Sequence, residues 1–139
     1  MKKSILFLTF FFITALGFSQ EAQTSTKSYD PNLIGCWKGS EVGQQQKGLS
    51  KYWVSCRFAD GKSVLLFVAI DKNGKVTQET ENGTWWTENG KYYELHDFDG
   101  VVDSYNYSVT AEGVDFQSIE LMGKKDTSYK FTDFKIEDD

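Results

Sequence analysis

His96 is the chain's single histidine, and it stands beside Asp97 and Asp99, with Asp103 just beyond the Asp99-Gly100 pair. An imidazole among carboxylates is the least equipment that could pass a proton or hold a cation. Zinc takes three or more converging nitrogen or sulfur ligands, and this stretch offers one nitrogen. An oxygen-liganded calcium site at Asp97, Asp99 and Asp103 would need other spacing than an EF-hand loop provides. A solvated acidic turn is the expectation, with no metal and no cofactor. The chain also lacks Gly-x-Ser-x-Gly, a glycine-rich phosphate loop and His-Glu-x-x-His, so no catalytic constellation is expected and a binding role is favoured over an enzymatic one.

Two cysteines, Cys36 and Cys56, are the other reactive groups. If the loop between them is centred on Gln46, they fall opposite each other on neighbouring strands, which suits a cross-strand disulfide. Two buried free thiols are the alternative, and no Cys-x-x-Cys spacing marks a redox pair. Export would favour the disulfide. Lys2 and Lys3 precede an apolar run from Ile5 to Phe18 that ends in small residues, so residues 1–19 read as a signal peptide cleaved near Ser19, with a periplasmic or extracellular destination. Leu33-Ile34-Gly35-Cys36 has the composition of a lipoprotein box but is separated from the apolar run by a polar stretch, and reads instead as the start of a strand.

Removing residues 1–19 with their two lysines moves the formal charge from -5 to -7. That balance argues against nucleic acid and anionic membrane surfaces and favours a soluble monomer. No later segment is apolar and long enough to span a membrane. Residues 20–32, rich in Ser, Thr and Gln, read as a mobile leader, and residues 33–139 as one domain.

Six pairs punctuate that domain: Asp60-Gly61, Asn73-Gly74, Asn82-Gly83, Asn89-Gly90, Asp99-Gly100 and Glu112-Gly113. Each suits a strand reversal, since these residues accept positive φ at little cost. Candidate strands are 34–41, 51–59, 62–70, 75–80, 84–88, 91–97, 101–109, 114–121 and 127–136, predicting an all-β, antiparallel up-and-down barrel of eight or nine strands. A two-residue loop at Asp60-Gly61 places Cys56, Val54 and Tyr52 with Leu65, Phe67 and Ala69 on the interior. It turns Arg57, Ser55 and Trp53 outward. The Asn73-Gly74 hairpin carries the interior to Val76 and Gln78. Three-residue loops ending at Gly83 and Gly100 then bring Trp86, Tyr93, Asp103, Tyr105 and Tyr107 onto one inner face, the candidate ligand-binding set. A one-residue slip at either loop would instead put Trp85 and Tyr92 inside. Otherwise Trp85 and Tyr92 form an outward patch for a partner protein or glycan, or an anchor for the leader.

Gly35-x-Trp37 opening the first strand, the meander that follows, and Gly83-Thr84-Trp85-Trp86 with Asn89-Gly90-Lys91 resemble the lipocalins and the wider calycin group, from about Leu33 to Ile136. The resemblance implies a small apolar or amphipathic ligand in the barrel. It also implies a first-strand tryptophan, Trp37, closing the base against an arginine near the last strands. The sole arginine is Arg57, in the second strand, and Lys130 or Lys135 would lack the planar stacking surface. The resemblance needs Trp37 inward, whereas the interior drawn above takes Cys36 inward with Cys56; a bulge near Gly39 or a shifted loop would reconcile the two. An envelope or extracellular interaction module with a solidly packed barrel is the second functional class.

Overall fold

The computed structural model describes residues 26–137; the apolar N-terminal run read as a signal peptide lies outside them. Among the described residues, nine strands form a single antiparallel sheet: β1 (Gly35–Val42), β2 (Ser50–Arg57), β3 (Lys62–Ile70), β4 (Val76–Glu88), β5 (Lys91–His96), β6 (Val102–Val109), β7 (Gly113–Leu121), β8 (Lys124–Lys125) and β9 (Lys130–Lys135). Consecutive strands pair from β1 to β7, β7 pairs with β9, and β9 returns to β1 through Trp37 opposite Lys135, so eight strands close up-and-down. Both β8 and β9 lie along the edge of β7 away from β6, so the short β8 extends the barrel's last wall. Among the described residues, no helix is long and apolar enough to cross a membrane.

The turns set which side chains point inward, and here three expectations are corrected. Asn82-Gly83 is no turn: it lies within the 13-residue β4, where Asn82 and Gly83 pair with Val64 and Ser63. Glycine is required there by close approach, since a Cβ on Gly83 would sit 2.2 Å from the Leu95 carbonyl oxygen. Gly83→Ala is expected to destabilise the barrel by about 2 kcal/mol, because only backbone can move aside; equal denaturation midpoints for variant and parent would contradict this.

Asp60-Gly61 and Asn73-Gly74 do reverse the chain, but through three-residue loops closed by Phe58 N–H to Lys62 C=O (2.9 Å) and Asp71 N–H to Lys75 C=O (3.0 Å). Gly61 and Gly74 take positive φ as the third loop residue, the geometry of a type I turn with a glycine bulge. Carboxylates of Asp60 and Asp71 accept N–H groups within these loops, which favours them over the tighter primed turns. Each extra residue inverts a face. Cys56 therefore opposes Val64, with Trp53, Ser55 and Arg57 inward on β2, and Glu79, Glu81 and Trp85 replace Val76, Gln78 and Trp86 on β4.

Asn89-Gly90 forms the expected two-residue turn, with φ of 51° and 72° and Trp86 opposite Tyr93. The Asp99-Gly100 loop holds four residues between His96 and Val101, not three, so Tyr105 and Asp103 share the interior with Tyr92 and Glu94 rather than with Tyr93 and Leu95.

The core follows. Trp37, Trp85, Tyr92, Tyr105, Val114 and Phe116 are buried together, with Tyr107 and Phe131 packed against them. Leu33, in a 3-10 turn over Pro31–Leu33, plugs the base and accepts the Trp37 indole N–H at 3.0 Å. Part of the segment expected as a mobile leader is seated here: Ser28 and Thr87 exchange backbone hydrogen bonds of 2.8 and 2.7 Å where β4 outruns β3. Asp30 accepts the Tyr107 hydroxyl at 2.7 Å. An unpaired strand edge is thereby covered.

Candidate functional site

Above the aromatic layer the barrel holds a partly open cavity of about 300 Å³. Its walls mix apolar side chains (Trp53, Leu65, Phe67, Tyr129, Phe131) with an ionisable set on three adjacent strands, Glu81 of β4, Glu94 and His96 of β5, and Asp103 of β6. Loop residues Gln45, Phe98 and Met122 border it.

Period-two alternation along Tyr92-Glu94-His96 aims all three side chains inward. His96 is centred between carboxylates, with Nδ1 2.9 Å from Glu81 and Nε2 3.1 Å from Asp103 and 3.8 Å from Glu94. Its hydrogen bond to Asp103 is the foremost cause raising the imidazole to about 9, and Glu94 and Glu81 add to it against the opposing cost of burial. At neutral pH an imidazolium therefore donates from both nitrogens. Glu94 accepts the Tyr92 hydroxyl at 3.0 Å and the Tyr105 hydroxyl at 3.3 Å; burial raises its carboxyl above the ordinary range, and His96 pulls it back. Asp103 also accepts the Met122 N–H at 2.7 Å.

Two further ion pairs are internally balanced. Glu41 lies 3.2 Å from Lys51, which also reaches Gln45. Arg57, 2% exposed, donates to Asp133, 1% exposed, which accepts the Trp53 indole N–H at 2.8 Å. The Arg57 guanidinium centre lies 5.6 Å from the Trp37 ring, with the Lys135 ammonium at 5.9 Å. Arg57 of the second strand thus lies beside the Trp37 ring, its charge balanced by Asp133 of the last strand, and the last strands carry no arginine of their own where the resemblance placed one. The disulfide joins Cys36 to Cys56 across β1 and β2. Because the β2 face is inverted, this bridge lies outside while Trp37 points in, and the two earlier readings agree without a bulge.

Of the five residues grouped as ligand-binding, Asp103 and Tyr105 line the cavity, Tyr107 packs lower against Phe116, and Trp86 and Tyr93 lie on the outer face. There the two rings stack at 5.3 Å with planes 5° apart, and the Lys27 ammonium covers Trp86 at 3.8 Å. Trp85 and Tyr92, the alternative surface patch, are 1% and 2% exposed and belong to the core, so they form no outward patch; Tyr92 also borders the cavity from within. Asp97 and Asp99 are exposed and do not meet Asp103, so the conceived calcium arrangement does not assemble; Asp99 caps its own loop through the Val101 N–H.

Glu81, Glu94, Lys51 and Asp133 escaped sequence reasoning. The alternation of Glu79 with Glu81, and of Tyr92 with Glu94 and His96, was the available signal. Glu94, His96 and Asp103 bring their ligand atoms within 4.8 Å of one another, a geometry able to hold a cation. The closed eight-stranded barrel is consistent with a calycin-type architecture. No family model, no curated protein and no solved structure matches this chain.

Proposed function

We propose that this chain is an exported, non-enzymatic, lipocalin-like binding domain that holds a small amphipathic molecule in the barrel. The observation carrying this reading is the cavity of about 300 Å³, in which apolar side chains such as Leu65, Phe67 and Phe131 share the lining with an ionisable cluster from β4 to β6. That volume is at the lower end of small-molecule pockets, and eight-stranded barrels either fill with side chains or leave room for one small ligand. The Cys36–Cys56 bridge supports an oxidising compartment. Action through the surface alone is less well supported, since Trp86 is 8% exposed beneath Lys27.

Titration with fluorescent and hydrophobic probes tests the proposal. Trp53 lines the cavity, so saturable changes in tryptophan emission at one probe per chain are expected. Leu65→Trp should fill the space and abolish them. Absence of any saturable response across chemically diverse probes would defeat the carrier reading.

A further inference from the structure

We infer that the occupant of the barrel carries a positively charged amino head group, which seats among Glu81, Glu94 and Asp103 beside His96 while its apolar body lies against Leu65, Phe67 and Phe131. This deepens the binding reading and rests on it.

Charge imbalance is the first argument. Six carboxylates line the cavity, those of Glu79, Glu81, Glu94, Asp99, Asp103 and Asp133, against three cationic groups, Lys51, Arg57 and His96. The cations are already committed: Lys51 to Glu41, which is not a wall residue, Arg57 to Asp133, and His96 to its carboxylates. An anionic head would find no unpaired cation on this wall and would add to an excess of negative charge, whereas an ammonium would offset it.

Register supplies the second argument. Glu94 and Asp103 are direct cross-strand partners on the inner face. Like charges opposite each other weaken a sheet, and a sequence selected for stability alone would avoid them. One imidazole answers both carboxylates, with Glu81 on its other nitrogen. An alkylammonium has three N–H donors and no acceptor, which matches a wall of acceptors. The aromatic and aliphatic side chains beside it suit the ligand's carbon body.

Three probes of equal chain length and different head separate the outcomes: hexylamine, hexanol and hexanoate, titrated into the protein at pH 7 by calorimetry and tryptophan emission. Hexylamine is expected to bind at least roughly tenfold more tightly than the other two, the ratio for one charge-assisted hydrogen bond. Glu81→Gln should narrow the amine-over-alcohol ratio by about the same factor. Glu79→Gln, at an exposed wall position, should narrow it less, and carries the test if the first variant fails to fold. Hexanol or hexanoate binding as tightly as hexylamine would overturn the inference and leave the carrier reading standing. No binding by any of the three would remove both. Zinc or calcium alone binding saturably and excluding hexylamine would also overturn it, since the cluster would then be a metal centre.

Discussion

Asp133→Asn is expected to lower the unfolding free energy by about 3–5 kcal/mol, the cost of leaving a buried guanidinium without its counter-charge. Domains of this size are stabilised by only about 5–15 kcal/mol in total, so the variant should be marginal at room temperature. The effect is large because Arg57 and Asp133 sit between the core aromatics, with the guanidinium centre 5.2 Å from Tyr92 and 5.3 Å from Phe116. With both side chains only 2% exposed, solvent can make up little of the lost counter-charge. Burial raises the Asp133 carboxyl, and Arg57 and the Trp53 indole oppose that. Replacing both ions, Arg57→Met with Asp133→Leu, should cost far less than the single change and could be neutral, because no charge is left orphaned. Urea denaturation followed by tryptophan emission reads both; a single variant within about 1 kcal/mol of the parent would show the pair to be solvated, as exposed ion pairs are.

Stability should fall as pH rises from about 6.5 to 9, and His96→Gln should flatten that limb. The folded imidazole titrates at about 9, above the ordinary 6.5, so the folded state holds the proton more tightly than the unfolded chain. Its contribution is full below pH 6.5 and is lost as pH climbs through 9. The interval from 6.5 to about 9 corresponds to at most about 3–4 kcal/mol, reduced by solvent at the partly open site. Above that range Glu81, Glu94 and Asp103 would face a neutral ring. Denaturation midpoints from pH 6 to 10 for parent and variant measure the difference; parallel curves would mean that His96 is not the titrating group.

Much of the architecture was legible in the residue types. Turn pairs and aromatic, β-branched segments pointed to a closed antiparallel meander, and the barrel is one. Register was less accessible. Asp-Gly and Asn-Gly serve both two-residue and three-residue loops, and a difference of one residue inverts a face. Asn89-Gly90 took the short form, so Trp86 faces Tyr93 as expected. Asp60-Gly61 and Asn73-Gly74 took the longer form, which turned Arg57 inward and Trp86 outward. Gly83 misled for another reason: a glycine that admits a neighbouring carbonyl looks in sequence like one that permits positive φ.

The site was half visible for the same reason. His96 and Asp103 stood out by residue type, and Asp103 was placed on the interior face with Tyr105. Glu81 and Glu94 did not stand out, since an acid in an alternating strand normally faces solvent.

The sequence by itself determined the class of fold, the absence of a recognisable catalytic motif, and a cysteine spacing compatible with a bridge across the first two strands. These depend on local chemistry: which residues turn, which alternate, and which fall symmetrically about a loop. Only the tertiary structure decided which faces close inward, that Arg57 meets Asp133 from 76 residues away, and that His96 is ringed by acids from three strands. Those outcomes depend on loop length and barrel closure, where a single residue of register reverses inside and outside.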